Sequence, residues 1–419
     1  MQGDGVWSRN LKAGADFLNG VLPSPKAYPI WGYSFFSQVM EEHTPILQSF
    51  LLFPLVLLIV RHTGQTASSN NYPSIRGLML VFLLLPFIFL STSLYSNSMA
   101  AILMISGTLL LIKGTRDKYR PGPMIAAGLL IGLAYNFRPE YLIYGLAVAG
   151  CTLLYLARCG RFKTDYKGIL VYVAAMLVCT IPWISYTASV LDGPSISSTN
   201  GGGTMYLGLG IREDNPWGII DSDDFVEDIS DQLDFGSAWS EKANRYFKIE
   251  FVNAVQEYPM AFVDRIVTGW IHLIKQGLYF PDFRALHTSS QHRAELDYIN
   301  ERFKQTLGLN VNQEELRKYE EMGISSNEIS IGQYFIVVSE YFLRAFFVLA
   351  FLAMVIGSIY TSIVTRFRYI ESYIFVAYSG ILLAVAGLIQ TDPRHTTLIL
   401  PILIITCFTV RQRGQHCQN

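Results

Sequence analysis

The sequence predicts an all-α, polytopic membrane protein of about nine transmembrane helices with a large external, helix-rich loop domain. Composition comes first: 51% of its 419 residues are hydrophobic and only 16% are charged, too apolar a balance for an ordinary soluble chain of this length. Apolar runs lie near 44–61, 77–94, 97–112, 122–137, 140–157, 168–190, 345–364, 369–390 and 396–410, each of a length that spans, or nearly spans, about 30 Å of hydrocarbon. The third observation is where the charges fall.

Fourteen Lys and Arg, running from Arg61 through Lys113, Arg116, Arg158 and Arg161 to Arg368 and Arg413, flank the same ends of these runs. Only Asp117, Asp165 and Glu371 oppose them there, so the positive-inside rule makes this face cytoplasmic. Alternation then gives a first external loop (1–43), membrane helices (44–190), an external loop domain (191–344), C-terminal membrane helices (345–410) and a cytoplasmic tail (411–419). An N-terminus outside the cell requires a crossing before it, and the expectation is that a further helix precedes this sequence. Cys151, Cys159, Cys179, Cys407 and Cys417 all fall in helices or on the cytoplasmic side, so no external disulfide is expected.

The external segment of roughly 150 residues is far longer than a connector needs. It opens with the Gly-rich SSTNGGGTMYLGLG (Ser197 to Gly210) and then carries nine acids and no Lys or Arg from Glu213 to Asp234. The three glycines of 201–203 read as a flexible turn more readily than as a phosphate cradle. Helical periodicity follows over 243–256 and 259–277, with Pro259 suited to a first turn. In the second of these helices Phe262, Ile266, Trp270, Leu273 and Ile274 suggest an amphipathic element lying in the membrane interface.

Ionisable groups at the outer ends of helices are the candidates for chemistry, because a charge at membrane depth is costly and is usually paired or functional. They are Asp4 in the first loop, Arg138 and Glu140 in the turn YNFRPEY, Asp392, Arg394 and His395 in the turn TDPRH, and Glu340 with Arg344. Each has a structural reading: Glu340 and Arg344 are spaced as a helix pair, Arg138 and Glu140 as a turn pair, and Arg394 as a snorkelling cation. Against those readings, two separate hairpins put an Arg on one face beside a Pro that fixes the turn, and two fixed guanidiniums make a good phosphate site. Asp221-Ser-Asp223-Asp224 imitates a nucleotide-sugar DxD but lacks an α/β nucleotide domain around it; it reads as a solvated face or a weak Ca²⁺ site without the Gly and terminal Glu of an EF-hand loop. No Walker A, HExxH or GxSxG motif is present.

Taken in order, these segments resemble the C-type membrane glycosyltransferases that use a polyprenyl-phosphate sugar, the group of protein O-mannosyltransferases and lipid A aminoarabinose transferases. The resemblance rests on GDGVWSRNLKAGADFLNG (Gly3 to Gly20), KAYPIWGY (Lys26 to Tyr33), FRPEYLIYG (Phe137 to Gly145), IPWISY (Ile181 to Tyr186), STNGGGTMYLGLG and DPRHTTLILP (Asp392 to Pro401). The chain departs from the family where Tyr186 and Thr187 stand in place of an Arg-Asn pair, and where Asn97 replaces an acidic residue.

The resemblance implies transfer of a sugar from a polyprenyl-phosphate donor to an acceptor hydroxyl of a lipid, glycan or protein, with inversion, at the external or periplasmic face of the inner membrane. Asp4 is then the general base. Arg138 and Arg394, supported by Lys26 and His395, hold the donor phosphate. Glu140, Tyr28, Asn200 and Tyr206 are the expected substrate contacts. No metal ligands are assigned; the family admits a divalent cation, for which the sequence offers no compact ligand cluster. The partners are the lipid-linked donor, the acceptor and membrane lipids, not nucleic acid. Two competing expectations are a transporter or flippase of a lipid-linked glycan, which leaves the long external segment unexplained and lacks inverted repeats here, and a glycan polymerase or ligase.

Overall fold

The computed structural model describes residues 44–64, 79–92, 96–116, 120–190, 194–196, 199–212, 214–276, 278, 290–308, 311–324, 331–388 and 393–407. Among these residues every regular element is helical and there is no strand. The first group comprises α1 (Thr44–Gly64), α2 (Leu85–Thr92), α3 (Ser96–Arg116), α4 (Pro121–Phe137), α5 (Glu140–Arg158), α6 (Phe162–Val178) and α7 (Ile181–Val190). The long segment after α7 contributes α8 (Gly201–Gly208), a 3₁₀ turn (Leu209–Ile211), α9 (Asp223–Gln232), α10 (Glu241–Glu257), α11 (Pro259–Gln276), α12 (Ser290–Thr306) and α13 (Gln313–Glu321). The chain closes with α14 (Ile331–Val364), α15 (Ile370–Leu388) and α16 (Pro393–Ile405).

Six of these stretches are long and apolar enough to cross a membrane: 46–63, 98–116, 140–158, 162–189, 332–364 and 370–388; α4 is apolar but shorter. Of the other two expected spans, one contains a helix broken beside a proline and the other the 13-residue α16. Residues 79–83 are helical ahead of α2, and at the joint the Leu84 N–H lies 3.0 Å from the Leu80 carbonyl and 3.1 Å from that of Val81. Pro86, two residues on, has no N–H with which to continue the ladder. In α16 the interior residue is Pro401. The same chemistry splits the rod 162–189, where α6 yields to α7 just before Pro182.

Contacts between helices fix which ends share a face. Tyr144 on α5 lies 5.4 Å, ring to ring, from Tyr378 on α15, and Tyr155 lies 5.7 Å from Tyr373, so the two helices run antiparallel. The start of α5 therefore sits at the same end of the bundle as the close of α15. Thr108 on α3 hydrogen-bonds Tyr378 at 2.9 Å, and Arg116 at the end of α3 meets Glu371 at the start of α15, which orders α3 in the same way. Close seams hold the layers: on α4 an added Cβ at Gly132 would come 2.6 Å from the Met176 carbonyl of α6, a distance that excludes any other residue.

Two findings revise the sequence expectation. α14 has 34 residues, about 51 Å at 1.5 Å per residue, so it begins well before the expected 345 and carries Glu340 and Arg344 inside it. Its first turns pack on α12 through Val337, Leu296 and Ile299. The glycines of 201–203 open α8 instead of forming a turn. The expected first loop (1–43) and tail (411–419) lie outside the described residues.

Candidate functional site at one end of the bundle

The FRPEY turn is built by helix termination. Arg138 caps α4 in an extended conformation (φ −157°, ψ 119°), its N–H still bonded to the Ala134 carbonyl at 3.0 Å. Pro139 then launches α5, since a proline just before a helix needs no N–H partner. Arg138 Nε and Glu140 Oε1 stand 3.2 Å apart, with the two side chains 19% and 25% exposed. The turn pair expected from the sequence is thus formed, and it sits sunk between helices. Beneath it Tyr141 is buried, and its hydroxyl has no hydrogen-bond partner among the described residues. A buried hydroxyl left unpaired is uncommon and marks a place where water or a ligand belongs. Gln48 in the second turn of α1 and the Thr396 hydroxyl in the first turn of α16 are likewise buried and have no hydrogen-bond partner among the described residues.

Hydrogen bonds tie the long segment and the α6–α7 joint to this end. The Tyr135 hydroxyl donates to the Ile196 carbonyl at 2.7 Å, and Asn136 Nδ2 donates to the Cys179 carbonyl at 2.9 Å. Thr187 hydrogen-bonds the backbone of Ser195, accepting from its N–H at 2.9 Å. Farther along, Arg265 on α11 is almost completely buried; its Nε donates to the Gly208 carbonyl at 2.6 Å, and Nη1 donates to the carbonyls of Ala386, at 3.0 Å, and Gly387. One guanidinium thereby joins the end of the Gly-rich helix to the last turn of α15, a few residues before Pro393. Burial holds this guanidinium below its ordinary range, at about 10, so it remains charged at neutral pH.

Gly202 packs so closely on α10 that a Cβ would overlap the Asn244 carbonyl, and its N–H donates to Asn244 Oδ1 at 2.7 Å. The glycine run is accordingly a packing device, with one of its helix-initial donors already used. Asn200 caps α8 without a side-chain bond to the helix. Tyr206 faces Phe247, ring centroids 5.4 Å apart, and is half-buried; the burial raises its phenol above the usual range. The acids of α9 are exposed while Phe225, Val226 and Ile229 pack into a core with α8 and α10. Asp214 bonds Arg212, which in turn reaches Asp264.

The sequence-predicted residues divide accordingly. Arg138 meets Glu140, and Glu340 meets Arg344 at 2.6 Å as an i,i+4 pair. Arg394 and His395 lie in the first turn of α16, their side chains outside the described ones, and Asp4, Lys26 and Tyr28 lie outside the described residues altogether. A cluster that sequence reasoning missed occupies the opposite end of the bundle. Glu371, 1% exposed, pairs with Arg116, whose Nη2 stands 2.8 Å from His62 Nε2; Arg161 Nη1 donates to the carbonyls of Thr115 at 3.0 Å and Arg116 at 3.1 Å. Read along the chain, these residues look only like charges flanking helices.

Among the described residues no group of three or more His, Cys, Asp or Glu could hold a metal ion. In comparisons with protein-family models, curated proteins and solved structures, nothing matches this chain.

Proposed function

We propose that this membrane protein transfers a sugar from a polyprenyl-phosphate donor to an acceptor hydroxyl, at the end of the bundle where α5 begins and α15 closes. The observation that carries the reading is the convergence there of three polar elements. Tyr135 holds the start of the external segment beside the FRPEY turn, and Arg265 holds the end of the Gly-rich helix against the last turn before Pro393. Among the described residues the buried Tyr141 hydroxyl and Gln48 amide have no hydrogen-bond partner, and both lie at that same end.

In this reading Arg138 and Arg394 stabilise the charge that develops on the departing lipid phosphate, where scarce water strengthens each interaction. Glu140 orients Arg138 through the 3.2 Å contact. Asp4 takes the proton of the attacking hydroxyl as the new glycosidic bond forms and the phosphate leaves. A fixed scaffold suits that chemistry: α15 is held at one end by Arg265 and at the other by Arg116 through Glu371.

The test uses the purified full chain with radiolabelled polyprenyl-phosphate sugars and membrane extract. Arg394→Ala and Arg138→Ala should each lose activity by at least two orders of magnitude, with Lys restoring part of it, because charge survives but the bidentate fork does not. Asp4→Asn should lower turnover by about 10²–10⁴ while still binding farnesyl phosphate. Wild-type protein that neither binds farnesyl phosphate nor transfers sugar from any donor of this class would sink the proposal.

A further inference from the structure

The three sides of α11 differ in kind. One side faces the protein: Arg265 and Leu273 are buried, Phe262 and Ile266 are partly buried, and Gly269 sits so close to α15 that a Cβ would overlap the Ala386 carbonyl. At 100° per residue these positions fall within an arc of about a third of the helix. Next to it lies a polar arc with Asp264, Thr268 and His272. The remaining arc is apolar and exposed: Met260 (76%), Val263, Val267, Trp270, Ile271 and Ile274 (51%).

A helix on the surface of a water-soluble domain needs only two faces, one for the core and one for water. The third face needs an apolar solvent of its own. Its position along α15 identifies that solvent. Trp270 Nε1 donates to the Leu383 carbonyl at 2.9 Å, and Ile266 packs on Gly387, so α11 lies along the closing turns of a helix apolar enough to span a membrane. Val376, Leu383 and Leu388 of that helix are themselves substantially exposed. Leu273, and Leu278 just beyond the helix, belong to the same apolar core as the bundle helices, whereas Phe262 packs in the core of the external segment. The helix therefore passes from the external core to the level of the membrane core, and its exposed stripe is continuous with the apolar belt of α15.

We infer that α11 is a lipid-contacting anchor, its stripe from Met260 to Ile274 facing the lipid of the leaflet into which α15 closes. The occupant is bilayer lipid, and the inference is independent of the sugar-transfer reading. It also makes Gly269 and Arg265 the means by which the external segment is held down at the membrane.

The test places single cysteines by Val267→Cys, Ile271→Cys and Ile274→Cys on the apolar arc, and Asp264→Cys and His272→Cys on the polar arc, in a full-length background with the five native cysteines replaced. Each is labelled with an environment-sensitive fluorophore and reconstituted in phosphatidylcholine vesicles containing a doxyl-labelled phosphatidylcholine quencher. Elution profiles confirm folding. The three apolar positions should be quenched at least threefold more strongly than the two polar ones, with blue-shifted emission. Equal quenching on both arcs overturns the inference. So does protection of the apolar arc from lipid quencher together with cross-linking between copies at Ile271→Cys, which assigns the stripe to a second copy of this chain.

Discussion

Removing the Arg265 guanidinium strands the carbonyls of Gly208, Ala386 and Gly387, and a buried acceptor left without a donor costs about 1–3 kcal/mol. Arg265→Met is therefore expected to destabilise the protein by about 3 kcal/mol or more, and Arg265→Lys by less, because an ammonium can still serve part of the set; thermal unfolding in detergent measures the order. Glu371 makes a matching case at the opposite end. It is the buried carboxylate between Arg116 and His62, and taking one partner from a buried pair typically costs about 3–5 kcal/mol. Glu371→Ala should show a loss of that size, and an unchanged unfolding midpoint would remove the cluster from the account of stability. Neither role was legible in the sequence. Arg265 follows Asp264 in an amphipathic pattern that reads as surface, and its partners lie 57 to 122 residues away. The local pairs were legible, as with Arg138 and Glu140 or Glu340 and Arg344, because a turn or one helical repeat determines them.

At the scale of elements, apolar runs of spanning length identified the long helices, since length and hydropathy alone decide whether a helix suits a bilayer. What they missed follows from information a run does not contain. α14 begins ahead of the apolar run because the apolar side of its first turns packs on α12, and α2 is limited by proline. The glycines of 201–203 read as a turn in the sequence because Gly loses most entropy in a helix; in the structure they open α8, and α10 approaches Gly202 too closely for a side chain. That geometry gives an internally controlled prediction. A Cβ at Gly202 meets the Asn244 backbone, whereas one at Gly201 finds only Asn244 Oδ1, at 3.9 Å. Gly202→Ala should destabilise by about 1–3 kcal/mol, the usual cost of overpacking, and Gly201→Ala should be neutral or slightly stabilising through helix propensity. Equal effects in thermal unfolding would show that the seam between α8 and α10 is looser than described.

The whole molecule is polarised from end to end, and its orientation can be predicted from how its charges are spent. At the end where α5 begins, the described cations are engaged locally: Arg138 with Glu140, Arg265 with backbone carbonyls, and Arg344 with Glu340. At the other end Arg116 pairs with Glu371 and Arg161 with Asp165, yet Arg61, Lys113, Arg158, Lys163, Lys167, Arg366 and Arg368 remain as an excess of Lys and Arg over acids near the helix ends. Because orientation follows Lys and Arg near the ends of spans and acids weigh little, this end is predicted to face the cytoplasm. The structure also dictates the reporters. Thr115 is buried, its hydroxyl bonded to the Leu111 carbonyl at 2.8 Å, and Ser230 is buried and bonded to Val226 at 2.7 Å, so a cysteine at either position would resist labelling on whichever side it lay. Cys159 is exposed at the basic end, and Asp228 is exposed on α9. In intact cells an impermeant maleimide should label Asp228→Cys in an otherwise cysteine-free chain. A chain whose sole cysteine is Cys159 should react only after permeabilisation. Labelling of Cys159 in sealed cells, with Asp228→Cys protected until lysis, would invert the orientation and move the proposed sugar-transfer site to the cytoplasmic face.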